Sequence, residues 1–300
     1  HGADAVVMME QTQMAGTDVV EVLKPVTEDE NLVLKGEDVK PGDIVLSKGT
    51  RVRDAEIGGL LALGITRVKV TRKPRVAILS SGDELIPPDQ TPRIGQVRDI
   101  NSYMLSALVT ANGGTPKIYP IMPDRKEVIE QAIQKAYAES DAVIVTAGSS
   151  ASTRDMTAEV LNSMGKPGVL VHGIDIKPGK PTILAVANGK PMIGLPGNPV
   201  STLVIAHLIV KPLMERMTGL DHPPLQPVIP ARVIVNLPSI AGRDEYFPVR
   251  LIREEGGYLA DPIFYKSNLI YSLVRADGLV HIEPDVTGVD AGTIMDVSLF

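Results

Sequence analysis

The 300-residue sequence has no cysteine at all. That excludes both a disulfide framework and a thiolate metal site, and it suits a reducing, cytoplasmic location. Long hydrophobic runs are missing too. The most apolar window, "STLVIAHLIV" (201–210), is interrupted by His207 and closed by Lys211, far short of the roughly 18 apolar residues a membrane span needs. No excess of positive charge is present: the formal net charge is −6. A non-specific nucleic-acid binder needs a basic face to displace counterions, so neither a membrane nor a nucleic acid is an expected partner. Several motifs are lacking as well. There is no Gly-x-Ser-x-Gly elbow, no GxGxxG fingerprint and no Walker A loop, which counts against serine hydrolases, dinucleotide oxidoreductases and P-loop ATPases. The five histidines show no metal-ligand spacing, and His172 and His207 sit in apolar runs as packed residues.

What is present is a chain long enough for two or three domains, with 44% hydrophobic residues. It opens "HGADAVVMMEQT", without a methionine and already inside a β-like run, as a fragment without its beginning would; no signal peptide is visible. Residues 1–73 read as β-rich, with one helix over "RDAEIGGLLALGI", N-capped by Asp54 and stopped at Gly64. From residue 74 to 219 the rhythm changes. Apolar runs "RVAILS", "KIYPIM" and "AVIVTAG" without alternation predict strands buried on both faces. The amphipathic segments between them, the second starting at Asp124, predict helices, so the segment is a parallel, right-handed α/β layer. A third helix near 156–164, strands at 169–176, 181–186 and 191–195, and a long helix at about 199–217 complete it. The proline-rich "GLDHPPLQPVIP" is a semi-rigid boundary, and 226–300 is β-rich again, the size of one barrel or sandwich.

Ligands of open parallel sheets sit beyond the carboxyl ends of the strands, so the loops there carry the candidate residues. "SSGDEL" offers Ser81, Gly82 and the adjacent carboxylates Asp83 and Glu84; a plain turn is the competing reading. "RDINSYM" puts Asp99 and Asn101 at a helix start, where capping competes. "TAGSSASTRD" opens a helix with Gly148, Ser149, Ser150 and Ser152, small enough for backbone amides to approach an anion. "LPGNPVS" places Pro196, Gly197 and Asn198 just before the long helix. In "KPGKP", Pro178 and Pro181 stiffen the loop, Gly179 permits a turn, and Lys177 and Lys180 supply two cations. Lysines on one loop and carboxylates on others suit a polyanion with a divalent metal, since the oxygen ligands of Glu84 and Asp155 suit magnesium.

Taken in order, "GADAVVMMEQT", "KGEDVKPGD", "SSGDEL", "DIKPGKP", "GLPGNPVS", "GRDEY" and "LVRADGL" resemble the molybdopterin molybdenumtransferases, which include bacterial MoeA and the E domain of gephyrin. The resemblance runs over essentially the whole chain. It implies a central Rossmann-like, parallel-sheet molybdopterin-binding domain, flanked by a β-rich N-terminal segment and a C-terminal β-barrel. It further implies a cytoplasmic homodimer, supplied by a molybdopterin adenylyltransferase, that inserts molybdate into adenylylated molybdopterin and releases AMP with the help of Mg2+ or another divalent cation. By motif match, Glu84 and Asp155 lie around metal or molybdate, Ser149, Ser150 and Ser152 line the pterin-phosphate loop, and Lys177 and Lys180 meet phosphate or oxyanion. Arg243 and Ser267 come from the C-terminal domain, across the dimer. Three departures stand out. The middle loop has fewer glycines than the family's Ser/Thr-Ser-Gly-Gly-Val-Ser-Val-Gly, the tail turn keeps only the serine of "KSN", and the family's N-terminal segment with an active-site aspartate is missing. A fragment beginning at His1 is therefore expected to bind ligand without turnover. Insertion of tungsten, a non-catalytic molybdopterin-binding or scaffold role, and nucleotide hydrolysis are the competing readings.

Overall fold

The computed structural model describes residues 2–147, 151–221 and 224–300, with 151–153 described through the backbone alone. The chain divides into two compact units, His1–Val68 and Lys69–Phe300. In the first, β1 (Thr12–Met14) and β2 (Val20–Val22) form an antiparallel ribbon, and α1 spans Asp54–Ala62. The β-branched runs 31–36 and 43–49 lie in turns and extended chain instead of strands, because such a run needs a neighbour to complete its ladder. The helix cap also differs from expectation. Arg53, not Asp54, is the N-cap: its N–H donates to Glu56 Oε2 at 2.8 Å, so capping comes from a carboxylate reaching back from inside the helix. Gly64, at φ +73, ends the helix as predicted. Among the described residues of this unit, Leu60 is the one buried large apolar side chain.

The second unit begins with an α/β layer. Its elements are β3 (Arg75–Ser80), β4 (Leu85–Ile86), β5 (Val97–Arg98), α2 (Asn101–Ala111), β6 (Thr115–Ile118), α3 (Lys126–Glu139), β7 (Ala142–Ala147) and α4 (Ala151–Ser163). There follow β8 (Pro167–His172), β9 (Ile176–Lys177), β10 (Ile183–Ala187), β11 (Lys190–Pro196), α5 (Pro199–Ile205), a π-helical turn over Ala206–Val210, and α6 (Lys211–Met217). The sheet order is β6-β3-β7-β11-β10-β8: the first four strands run parallel, and β10 and β8 extend them antiparallel. The unbroken apolar runs do bury both faces. Ala77, Leu79, Val143 and Val145 pack against Ile129, Ile133 and Leu161, while Val76, Ile78, Ile144 and Leu195 meet Leu105, Val109, Ile205 and Met214. Each valine, leucine, isoleucine or methionine among them contributes about 1.5–3 kcal/mol of transfer free energy. Helix α3 starts at Lys126, two residues later than the Asp124 start expected.

The remainder is a closed barrel made from β12 (Val228–Val233), β13 (Leu237–Pro238), β14 (Asp244–Glu254), β15 (Gly257–Pro262), α7 (Tyr271–Val274), β16 (Gly278–Ile282), β17 (Gly288–Val289) and β18 (Ile294–Leu299). Strands follow the order β15-β12-β18-β16-β14, and β14 pairs with β15 to close the ring. Its interior holds Val233, Phe247, Val249, Ala260, Val280 and Val297. Two sequence readings change here. The run 169–176 is cut short: β8 ends at His172, and β9 joins the barrel, parallel to β14, with Asp244 opposite Ile176 and Glu245 opposite Lys177. Within "SLVRADGLVHI", Ser272–Val274 is helical and only the second half is strand; the Ala276–Asp277 turn separates them.

Candidate functional site

The "KPGKP" loop connects β9, in the barrel, to β10, in the central sheet. Its own backbone closes it: Ile174 N–H donates to Lys180 O at 2.9 Å, Gly173 N–H to Thr182 O at 2.8 Å, and the Thr182 hydroxyl to Gly179 O at 2.7 Å. Gly179 has φ +136, and a Cβ there would lie 2.3 Å from Ile205 Cδ1. Glycine is thus required both by conformation and by the close approach to α5. The loop forms one wall of a cavity of about 710 Å³.

Nine residues singled out in the sequence meet in that cavity: Lys177, Pro178, Gly179, Lys180, Pro181, Pro196, Asn198, Arg243 and Ser267. Four separate segments therefore deliver cations or hydroxyl and amide groups to one place. Arg243 and Ser267 do so within the same chain as the lysines, whereas the resemblance implied a contribution across the dimer. The Ser267 turn is docked on the start of α5, where Asn198 Nδ2 donates to Ser267 Oγ at 2.9 Å and Val200 N–H to Ser267 O at 3.1 Å. Thr202 supports the same corner by donating to Pro196 O at 2.5 Å.

Sequence reading missed one member, Glu245. Its side chain is 2% exposed and forms an ion pair with Lys177; Ser239 Oγ donates to its Oε2 at 3.0 Å, and Arg243 Nη2 stands 3.9 Å from the same oxygen. Alternation along a strand could have found it, because Arg243 and Glu245 at i and i+2 share one face of "GRDEY". Burial and the Glu245 charge push the neighbouring Tyr265 phenol well above its ordinary range. Arg243 Nε is buried with no hydrogen-bond partner among the described residues.

Gly82, Asp83 and Asp99 belong to a second cavity, of about 510 Å³, with Tyr103, Tyr119 and four prolines. Asp99 is buried and caps α2 through its carboxylate: Ser102 N–H donates to Oδ1 at 3.1 Å and the Ser80 hydroxyl at 3.2 Å. Ser80 also meets the hydroxyls of Ser102 and Thr146 at 2.8 Å each, a buried network that fixes the carboxyl ends of β3 and β7. Asn101 links this region to "LPGNPVS" by donating to Gly197 O at 2.8 Å. Two buried oxygens nearby, Ser81 Oγ and Asn101 Oδ1, have no partner among the described residues.

Glu84 and Asp155 line neither cavity. Gly82 lies close under Glu84, where a Cβ would meet Glu84 Oε2 at 2.8 Å. Gly148, Ser149 and Ser150, and the side chain of Ser152, lie outside the described residues. Among the described residues no three acidic or histidine side chains are gathered for a metal ion, and no helix is long and apolar enough to cross a membrane.

Three family models match in sequence: the MoeA N-terminal region (domain I and II) over residues 1–64, the probable molybdopterin binding domain over 77–216, and the MoeA C-terminal region (domain IV) over 230–300. A molybdopterin molybdenumtransferase of Staphylococcus epidermidis is 33% identical over 304 residues, covering 99% of this chain and 71% of its own length. The chain belongs to the MoeA family. The Haemophilus influenzae molybdopterin molybdenumtransferase is 31% identical and covered over 74% of its length. In structure, a MoeA protein from Pyrococcus horikoshii OT3 superposes with a TM-score of 0.81 at 32% identity, over 100% of this chain and 72% of that one. The MoeA relationship spans both units, and the cation-lined cavity lies where the matched central region and the matched C-terminal region meet.

Proposed function

We propose that this chain works in molybdenum cofactor biosynthesis by inserting molybdate into adenylylated molybdopterin with release of AMP. The observation that carries this reading is the convergence of Lys177, Lys180 and Arg243 on one cavity beside the hydroxyl of Ser267 and the amide of Asn198. Cations fixed on rigid elements favour bound anions and the negative charge of a transferring phosphate or oxyanion group. Charge sorts the substrate between the two cavities: the cationic one takes oxyanion and phosphate, while the Asp83–Asp99 cavity, lined by tyrosines and prolines, takes an uncharged part of the molecule. Magnesium, in this proposal, is held by one or two carboxylates drawn from Glu84 and Asp155. Among the described residues no three acidic or histidine side chains are gathered, so in this proposal the substrate phosphates complete its shell, as suits an ion that keeps few protein ligands. The protein works as a cytoplasmic homodimer that takes its substrate from a molybdopterin adenylyltransferase. The first unit supports the dimer, since it leaves Met9, Val33 and Ile44 more than 80% exposed while burying Leu60.

The test is release of AMP from adenylylated molybdopterin in the presence of molybdate and magnesium, followed chromatographically. Release by the wild-type protein with the family's N-terminal segment in place, lowered about tenfold or more in Lys180→Ala, is the expected result, in keeping with about 1.4 kcal/mol or more from one charged contact. Wild-type rates in both Lys180→Ala and Glu84→Gln would refute the site. No AMP release by that wild-type protein, with the N-terminal segment in place, would refute the reaction.

A further inference from the structure

A buried carboxylate in the wall of an anion-binding cavity is an electrostatic contradiction unless it serves the cations around it. Glu245 is such a group, and both its oxygens are occupied: Lys177 is ion-paired to Oε1, and Ser239 donates to Oε2 at 3.0 Å with Arg243 Nη2 at 3.9 Å. The backbone holds the same pair together, because Glu245 stands opposite Lys177 in the β14–β9 ladder and Asp244 N–H donates to Asp175 O at 2.9 Å. By contrast, Lys180 has no ion pair among the described residues.

We infer that Glu245 is a positioning residue for the oxyanion: it fixes the Lys177 ammonium and the Arg243 guanidinium at the cavity wall before the ligand arrives. The inference rests on the oxyanion reading of this cavity. A lysine side chain is a point charge on a flexible stem, and ordering it at the moment of binding costs affinity. With Glu245 in place, that ordering already belongs to the folded chain, and the ligand meets a prepared pair of donors. Capping by Lys177 and Ser239 leaves the carboxylate few free lone pairs to repel the incoming anion.

A double-mutant cycle read by calorimetric titration with molybdate separates positioning from general stability. Glu245→Gln keeps the shape and removes the charge. Molybdate binding by the full chain should weaken about tenfold in Glu245→Gln, yet by clearly less when the same substitution is made in Lys177→Ala, since only the Arg243 contact is then left for it to act through. Ser239→Ala, which frees one carboxylate oxygen, should give a smaller loss in the same direction, again reduced in the Lys177→Ala background; it serves if Glu245→Gln does not fold. Equal losses in both backgrounds, or tighter binding in Glu245→Gln, would overturn the inference while leaving the oxyanion site intact. A wild-type chain that binds neither molybdate nor tungstate overturns the oxyanion reading itself, and this inference with it.

Discussion

His207 shows how much a single residue's environment decides. The sequence placed it in an apolar run as a packed side chain, and it lies in the π-helical turn with its ring 5.2 Å from that of Phe300. Burial, and secondarily the Lys211 charge, pulls its pKa down from 6.5 to about 4. The folded chain then carries a neutral imidazole where the unfolded chain binds a proton, so stability is lost as pH falls from 6.5 toward 4 and is independent of this group above that window. The slope from one such group approaches about 1.4 kcal/mol per pH unit. Replacing it by an apolar side chain, His207→Met, should flatten the fall in melting temperature between pH 6.5 and 4; an unchanged pH profile would show that other groups set it. Glu245 makes the opposite point at the same scale. Alternation in "GRDEY" puts its carboxylate on the face of Arg243, but nothing local names Lys177 as its partner.

Among the elements, the "KPGKP" loop was the most legible and its attachment the least. Two prolines, a glycine and two lysines announce a stiff cationic turn. That its leading strand leaves the central sheet for the barrel follows from the partner β14 offers, which no periodicity in 169–177 encodes. Gly179 couples the loop to α5 through Ile205, itself fully buried. Gly179→Ala would force a left-handed backbone and a clash together, displacing the loop at a cost of about 1–3 kcal/mol. Molybdate binding measured by titration should weaken about tenfold or more, with the barrel and sheet still folded by circular dichroism. Binding at wild-type strength would mean that the loop adapts and that its geometry is not what the site uses. The runs 31–36 and 43–49 of the first unit failed as strands for a related reason: they found no neighbour with which to pair, whereas Val20–Val22 did.

At the scale of the whole molecule, every sizeable hydrophobic core lies within residues 69–300: two on the faces of the central sheet, one inside the barrel, and one where α5 meets Leu273 and Leu279. A chain beginning at Lys69 should therefore fold cooperatively and keep molybdate binding within a few-fold of the full chain, as scanning calorimetry and titration would show; a molten or unfolded product would mean that residues 1–68 complete those cores. The sequence by itself determined what depends on near neighbours: strands buried on both faces, the helix stops, the stiff lysine loop, and the ordered series of motifs that marks the family. Tertiary structure alone decided which of these loops share a cavity, that Arg243 and Ser267 join the lysines within one chain, and that Glu245 holds Lys177. The physical reason is that periodicity and turn chemistry record local burial and backbone conformation, whereas meetings between distant segments are settled by the packing of the entire unit, where many weak contacts act together.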